Sequence, residues 1–196
     1  VLFRSLAPAC ISVGEPSAAA RDALVRDFGI TAHADNATAV RGAQLVVLAV
    51  KPQEMQRVLQ PLSTHLHADA PLLLSIAAGL RTASLQRWCP GLPVVRAMPN
   101  RPALVSAGAA ALFAPADVGA AHRLLAETVM RSCGYACWVD NEDLLDVVTA
   151  LSGSGPAYFM WLGEQLAAAA ERMGLDAKVA SVLAARSEEH TSELQS

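Results

Sequence analysis

The sequence predicts an α/β fold, in which a doubly wound and mostly parallel β-sheet is followed by the start of an all-helical domain. Short apolar runs recur between residues 45 and 114 with little polar alternation, which is typical of strands covered on both faces. Helical patterns separate several of these runs and indicate βαβ units. After residue 141 only helical patterns remain, so a second, helical domain is expected there.

The N-terminal part contains two predicted strands and two predicted helices. The stretch ACISV at residues 9–13 is the first strand candidate. A helix over residues 17–28 is expected to begin at Ser17, whose hydroxyl suits an N-cap. A shorter helix is predicted over residues 36–41, and the unbroken apolar run LVVLAV at residues 45–50 forms the next strand.

The remaining elements continue this alternation until the helical part begins. Further strands are predicted at LLLSI (72–76), VVRAM (94–98), AGAAALFA (107–114) and YACWV (135–139), and helices over residues 54–62, 82–88, 118–133, 142–151 and 156–173. The motif SGSGP separates the last two helices. Residues 6–145 are therefore predicted to form the first domain and residues 146–185 the beginning of the second.

Both ends of the chain are expected to be non-native. VLFRS at residues 1–5 and RSEEHTSELQS at residues 186–196 resemble translated ligation adapters from sequencing libraries, and such scars are excluded from fold reasoning. A frayed native terminus is the alternative for the polar tail. If both ends derive from adapters, residues 6–185 are an internal fragment of a longer protein.

The composition argues against nucleic-acid and membrane partners. The 196 residues carry a formal net charge of −3, and 53% of them are apolar. No strongly basic stretch offers a surface for phosphates. No apolar run approaches the roughly 18 residues of a membrane-spanning helix. The sequence therefore indicates a soluble, cytoplasmic protein.

The cysteines and histidines give no sign of a redox or metal site. Four cysteines stand apart without a CxxC pair, so a disulfide framework is not indicated. His65, His67 and Asp69 are close in sequence, but no fourth ligand lies nearby. We interpret this segment as a solvated loop and expect no metal.

Polar or small residues follow three predicted strands at the points where the chain turns. Residues 45–50 end at Lys51 and Pro52, residues 72–76 end in AAG, and residues 94–98 run into the sequence PN. In parallel α/β sheets, ligands bind outside the carboxyl ends of the strands. Lys51 is therefore placed to meet a phosphate, a carboxylate or the edge of a bound ring. The alternative is that Lys51 only caps the strand at the surface and Pro52 starts the next helix.

The SGSGP motif has two interpretations. Pro156 suits a first helical position, and the free backbone N–H groups at a helix start favour an anion, such as a substrate carboxylate. The motif is equally consistent with a tight interdomain turn whose glycines allow close helix packing. Ser152 and Ser154 are poor nucleophiles in either case, because no histidine lies nearby in sequence to act as a base.

Four motifs in register resemble the pyrroline-5-carboxylate reductase family. They are VVLAVKPQ, LLLSIAAG, VVRAMPNRPALVSAG and ALSGSGPAYF, and the resemblance spans residues 6–185. It implies a Rossmann-like NAD(P)-binding domain joined to a helical domain that dimerises and closes the active site. The implied reaction is the last step of proline biosynthesis, in which NADPH or NADH reduces the cyclic imine 1-pyrroline-5-carboxylate to L-proline.

The resemblance also assigns candidate site residues. The residues expected to line the cofactor-binding site are Asn36, Ala49, Val50, Lys51, Pro52, Ile76, Ala77 and Ala78. Those expected to contact the substrate are Asn100, Ser152 and Ser154. The catalytic residue stays unknown, although Lys51 is a candidate for orienting the substrate or the nicotinamide. The family's glycine-rich loop would precede Leu6, and its Ser-Pro-Gly-Gly-Thr-Thr loop would follow Arg186.

Two departures bear on the cofactor. Arg101 stands where the family usually has threonine, which adds a cation near the expected nicotinamide end. At the end of the first strand, Glu15 would bind a ribose 2′-hydroxyl and repel a 2′-phosphate. Ser17 and Arg21 would instead receive that phosphate. The sequence leaves the choice between NADH and NADPH open.

Two other functions are considered beside the reductase. β-Hydroxyacid dehydrogenases share this layout, but their catalytic lysine would fall at Phe159, and residues 156–172 contain neither Lys nor His. The chain as it stands is alternatively a non-catalytic nucleotide-binding module with an exposed sheet edge and apolar helix face. We expect this chain alone to be inactive and the full-length protein to be a homodimer or higher homo-oligomer.

Overall fold

The computed structural model describes the backbone of residues 6–193 and the side chains up to Ser187. The chain divides into two compact units, Val1–Thr149 and Ala150–Ser196. The predicted boundary between residues 145 and 146 falls shortly before this division. Residues 1–5 and 194–196, which belong to the segments predicted to be non-native, lie outside the described residues, whereas residues 186–193 continue the last helix.

Strands and helices alternate through the first unit. In chain order its elements are β1 (Ser12–Gly14), α1 (Ala18–Phe28), β2 (Thr31–His33), α2 (Asn36–Ala39), β3 (Leu45–Leu48), α3 (Met55–Asp69), β4 (Leu72–Ser75), α4 (Thr82–Trp88), β5 (Val94–Pro99), β6 (Gly108–Phe113), α5 (Ala120–Arg131), β7 (Gly134–Trp138) and α6 (Leu144–Val148). Short 3₁₀-helices occupy Pro8–Cys10, Pro52–Glu54 and Arg101–Val105.

The described strands form two sheets. β1 and β2 pair in parallel, and a separate five-stranded sheet has the order β3-β4-β5-β6-β7. All pairs in the larger sheet are parallel except β5–β6, which is antiparallel. The α/β class with a mostly parallel sheet is confirmed. The antiparallel pair departs from the predicted βαβ pattern because residues 100–107 are too few for a crossover connection.

Two apolar clusters cover the faces of the larger sheet. All four residues of β4 are buried, and Leu73 belongs to one cluster whereas Leu72 and Leu74 belong to the other. The first cluster packs β3 and β4 against α3 and α4, and the second packs the sheet against α5. Cys89, which follows α4, is completely buried in the first cluster. Side chains without polar alternation are thus buried on both faces, as expected for a covered parallel strand.

Two local predictions were wrong. His65 and His67 lie in α3, which continues to Asp69 instead of ending at residue 62. The buried stripe that begins with Met55 and Leu59 extends through Leu62 and Leu66, so packing prolongs the helix. The first strand was predicted at residues 9–13, but a 3₁₀-helix occupies Pro8–Cys10, and the strand starts only at Ser12.

The second unit contains a pair of helices that pack against each other, α7 (Gly155–Arg172) and α8 (Ala177–Glu193). A π-helical turn at Thr149–Gly153 leads into α7, and Pro156 lies in its first turn. Glycine and proline in the SGSGP motif thus coincide with the helix start, as the motif predicts. No helix among the described residues is both long and apolar enough to cross a membrane.

Candidate active site

Three turns that follow strands of the larger sheet contain predicted site residues, and each is called a corner here. The first corner, residues 49–52, follows the end of β3. Ala49 and Lys51 are exposed, and Val50 is half-buried. Lys51 has extended backbone angles, φ −59° and ψ 142°, because the ring of Pro52 disfavours a helical conformation in the preceding residue. The Lys51 ammonium forms no hydrogen bond or ion pair with another described residue. It is therefore available to a ligand.

The second corner lies directly beside the first. The backbone N–H of Ile76 donates to the carbonyl oxygen of Leu48 at 3.3 Å, which extends the β3–β4 pairing into the turn. The Ala77 N–H donates to the buried Ser75 hydroxyl at 3.4 Å. Gly79 follows with φ +74°, a left-handed conformation that favours glycine. The residues of this turn, Ala77, Ala78 and Gly79, thus have small or no side chains.

The third corner follows β5. The side-chain oxygen of Asn100 accepts the N–H of Ala109 at 2.9 Å, so this side chain fastens the turn from β5 to β6. Arg101 is exposed and begins the 3₁₀-helix. Because β5 is parallel to β4, this turn lies at the same edge of the sheet as the other two corners. The structure thus brings together the predicted residues at positions 49–52, 76–78 and 100.

The turn after β1 holds the residues predicted to select the cofactor. The Glu15 carboxylate accepts the N–H of Ser17 at 2.8 Å, and the Ser17 hydroxyl accepts the N–H of Ala20 at 3.4 Å and caps α1. Nη1 of Arg21 lies 2.8 Å from the carbonyl oxygens of Glu15 and Pro16. The carboxylate and the guanidinium are therefore both held on one turn.

Asn36 lies against the end of β1. A Cβ atom built on Gly14 would come within 2.1 Å of the Asn36 side-chain oxygen. Only glycine allows this approach without displacing the amide. Asn36 is a candidate through the family resemblance, whereas Gly14 was not predicted, although its position immediately before the turn is a signal in the sequence.

A buried ion pair was missed by the sequence analysis. Nη1 of Arg96, which is 3% exposed, donates to Oε1 of Glu142 at 2.8 Å. The same carboxylate accepts the Thr82 backbone N–H at 2.7 Å and the Thr82 hydroxyl at 3.1 Å. Glu142 therefore joins β5 to the start of α4. The signal in the sequence is an arginine within the apolar run VVRAM, because a buried charge requires a partner.

In the segment around His65 and His67, side chains contact neighbouring backbone groups. The ring nitrogens of His67 lie 2.5 Å from the Ser63 carbonyl oxygen and 2.7 Å from that of Pro90. These contacts raise the pKa of His67. Asp69 accepts the backbone N–H of Gly42 at 2.8 Å. No group of three or more His, Cys, Asp or Glu side chains among the described residues is arranged to hold a metal.

The other predicted residues lie in the second unit. Ser152 belongs to the π-helical turn, and Ser154 immediately precedes α7; both are half-buried. The Ser154 carbonyl oxygen accepts the N–H of Ala157 at 3.0 Å. The aromatic residue Phe159 is 63% exposed.

Comparisons with known proteins identify the family. Residues 142–195 match the family model described as pyrroline-5-carboxylate reductase dimerisation, and residues 4–79 match that of coenzyme F420-dependent NADP oxidoreductases. The pyrroline-5-carboxylate reductase of a Synechocystis species is 38% identical over 191 residues, which cover 97% of this chain and 70% of that protein. The chain belongs to the pyrroline-5-carboxylate reductase family. The family resemblance found in the sequence is thus confirmed.

Further members of the pyrroline-5-carboxylate reductase family support this placement. The enzyme from Pseudomonas aeruginosa is 44% identical over 174 residues, or 88% of this chain. A solved pyrroline-5-carboxylate reductase from Coxiella burnetii has a TM-score of 0.92 and 35% identity, covering 98% of this chain and 72% of that structure. The chain spans 63% of the Pseudomonas relative and 65% of the one from Haemophilus influenzae, just under two thirds of their length.

Proposed function

We propose that the full-length protein reduces 1-pyrroline-5-carboxylate to L-proline with NADPH or NADH, in the last step of proline biosynthesis. The observation that carries this proposal is the pair of adjoining corners after β3 and β4, which the Ile76–Leu48 hydrogen bond holds together. They lie at the edge where parallel sheets bind nucleotides. Relatives named pyrroline-5-carboxylate reductase match most of the chain.

The residues at these corners fit a nicotinamide nucleotide. Ala49 and Ala78 are small and exposed, and Gly79 has no side chain, so a flat ring can approach the backbone. The nucleotide, when bound, supplies the hydride, and the protein supplies binding and orientation. Ala49, Val50, Pro52, Ile76, Ala77 and Ala78 are assigned to this surface.

Lys51 is assigned to orienting the substrate or the nicotinamide. Its ammonium forms no hydrogen bond or ion pair with a described residue, and a cation there complements an anionic group of the bound molecules. An iminium substrate already carries its proton, so the reaction does not require a general acid at this position.

The β1 corner is assigned to the adenosine end of the cofactor. Asn36 lies against Gly14 at the end of the strand, the position where the acidic residue of dinucleotide-binding folds meets the ribose. Glu15 favours a free 2′-hydroxyl, whereas Ser17 and Arg21 favour a 2′-phosphate. A Plasmodium falciparum relative, 28% identical, was solved with NADP bound.

Substrate contacts are assigned to Asn100, Ser152 and Ser154. The Asn100 oxygen already accepts the Ala109 N–H, so this residue would act by shaping the β5–β6 turn. The backbone at the start of α7 would receive the substrate carboxylate.

The second unit is assigned to homodimerisation of the full-length protein. Tyr158, Phe159, Met160 and Trp161 are consecutive and each is at least 60% exposed. Four consecutive positions surround a helix, so a partner surface must cover more than one side of α7. The match to the dimerisation model favours a second copy.

The decisive experiment uses the full reading frame. Oxidation of NADPH and NADH is measured with 1-pyrroline-5-carboxylate, and reduction of NAD⁺ and NADP⁺ is measured with 3-hydroxy acids. Turnover with the imine is expected. Activity only with the hydroxy acids would overturn the proposal in favour of a β-hydroxyacid dehydrogenase.

A further inference from the structure

Arg101 begins the turn of the third corner, at the same edge of the larger sheet as Lys51. Strand pairing aligns Leu48, Ser75 and Arg96 across β3, β4 and β5. Lys51 comes three residues after this line, and Arg101 comes five residues after it. Because neighbouring strands lie about 4.8 Å apart, the corners after β3 and β5 are separated by about 10 Å of sheet. Two long cationic side chains therefore begin close to the same candidate ligand site.

The Arg101 guanidinium has no polar partner among the described residues. The residue is exposed, and it forms no hydrogen bond or ion pair with another described residue. Arg96, five residues earlier, is instead satisfied by Glu142 in the buried ion pair. A guanidinium carries five N–H donors and keeps its charge in proteins. Arg101 therefore offers a permanent cation and unused donors to a ligand.

The segments that form the three corners carry positive charge only. Residues 97–116, which include the third corner, contain a single charged residue, Arg101. Residues 42–53 contain only Lys51, and residues 70–80 contain no charged residue. No acidic side chain within these segments competes for either cation. This edge of the sheet therefore attracts anions.

The residues that follow Arg101 are apolar and exposed. Leu104 is 75% exposed and Val105 is 74% exposed, in the 3₁₀-helix that Arg101 begins. When a ligand or a partner surface covers such side chains, water is displaced and the attraction between opposite charges increases. One cation beside exposed apolar groups suits a small apolar ring that carries a single anionic group.

The carboxylate of the substrate fits this position better than a phosphate of the cofactor. In dinucleotide-binding folds, the pyrophosphate lies at the glycine-rich turn after the first strand, whereas Arg101 follows β5. The corners after β3 and β4 are assigned above to the nicotinamide ring, which carries no anionic group. The imine must contact that ring to receive the hydride, and it brings a carboxylate. A carboxylate offers about four acceptor sites, so it can bind a guanidinium and backbone N–H groups at once.

We propose that Arg101 is a specificity-determining residue, whose guanidinium binds the carboxylate of the cyclic imine and selects acidic imines over uncharged ones. This inference rests on the proposed reductase function and deepens it. A guanidinium–carboxylate contact is charge-assisted and geometrically specific. An imine without the carboxylate leaves the guanidinium unpaired. Arg101 therefore sets the preference between substrates and takes no part in the transfer of the hydride.

Steady-state kinetics of the full-length protein test this role. Arg101→Met is expected to lower kcat/KM for 1-pyrroline-5-carboxylate about tenfold, since one charge-assisted contact is lost. For 1-pyrroline, which lacks the carboxylate, kcat/KM is expected to change less than about twofold. Arg101→Lys keeps the charge without the bidentate geometry and is expected to recover part of the preference. Arg87→Met, at another exposed arginine, in α4, is the control.

Binding of L-proline separates this role from the proposed reaction. Calorimetry measures the Kd of L-proline and of pyrrolidine with the oxidised cofactor bound, and Arg101→Met is expected to weaken only the binding of L-proline, about tenfold. If this loss is observed without turnover of any imine, the reductase proposal fails and the role of Arg101 stands.

Four results would each overturn the role of Arg101. They are equal losses for acidic and uncharged ligands, unchanged kinetics and binding in Arg101→Met, no binding of L-proline by the parent protein, and weaker binding of the cofactor in place of L-proline. The last result would assign the guanidinium to a phosphate.

Discussion

Single side chains in the first unit differ sharply in how firmly they are held. The Lys51 ammonium forms no hydrogen bond or ion pair with a described residue, whereas Glu142 accepts hydrogen bonds from Arg96 and from two atoms of Thr82. A group without partners contributes little to stability and is available to ligands. A carboxylate that satisfies a buried guanidinium is structural.

We expect Lys51→Met in the full-length protein to lower kcat/KM for 1-pyrroline-5-carboxylate by about tenfold, since one charge-assisted contact in the transition state is lost. The midpoint of urea unfolding is expected to stay unchanged. Lys178→Met, at another exposed lysine, in α8, is the control. An unchanged kcat/KM would assign Lys51 to capping the strand.

Removal of the Glu142 carboxylate, in contrast, is expected to lower the stability of the fold. Glu142→Ala leaves Arg96 buried without a counter-charge, and the free energy of unfolding is expected to fall by about 3 kcal/mol. Asp146→Ala removes only an exposed partner of Arg81, and a loss below about 1 kcal/mol is expected. Urea titrations of both variants measure the difference, and equal losses would contradict the structural role of Glu142.

Among the elements, α3 carries a contact that depends on pH. Both ring nitrogens of His67 face carbonyl oxygens, of Ser63 and Pro90. Only the imidazolium can donate to both, so these contacts raise the pKa of His67 above its usual 6.5. The contact ties the last turn of α3 to the turn before β5.

The stabilisation from His67 is therefore expected to be complete below the unfolded pKa and to disappear as the pH rises through the raised folded pKa. NMR titration of the imidazole should show the upward shift. Between the unfolded and the folded pKa of His67, the urea midpoint should become less dependent on pH in the His67→Ala variant. The dependence should persist in the His65→Ala variant. A His67 pKa at or below the usual value would refute the contact.

Elements whose signals are local could be predicted from the sequence. The apolar runs at β3, β4 and β5 and the cap at Ser17 are confirmed because burial on both faces and capping depend on neighbouring residues. The end of α3 depends on what Leu66 packs against, so it was misplaced. The Arg96–Glu142 pair joins residues 46 positions apart, and no local pattern identifies such a partner.

For the whole molecule, the exposed apolar residues of α7 bear on the homodimerisation proposed above. We expect Trp161→Glu in the full-length protein to weaken dimerisation at least about thirtyfold, since burial of a large aromatic side chain in an interface contributes about 2 kcal/mol or more. Glu164→Gln, on the same helix, is the control. Sedimentation velocity over a range of concentrations measures the change, and identical profiles for both variants would place the interface elsewhere.

Because Cys89 is buried, the rate at which its thiol is labelled depends on how often the first unit opens. Burial raises the pKa of this thiol, so thiolate-selective reagents are slow to modify it in the native state. Labelling then requires separation of α3 and α4 from the sheet, and its rate relative to an unfolded reference gives the free energy of that opening. The labelling rate of this native cysteine thus measures fluctuations of the folded state without an introduced probe residue.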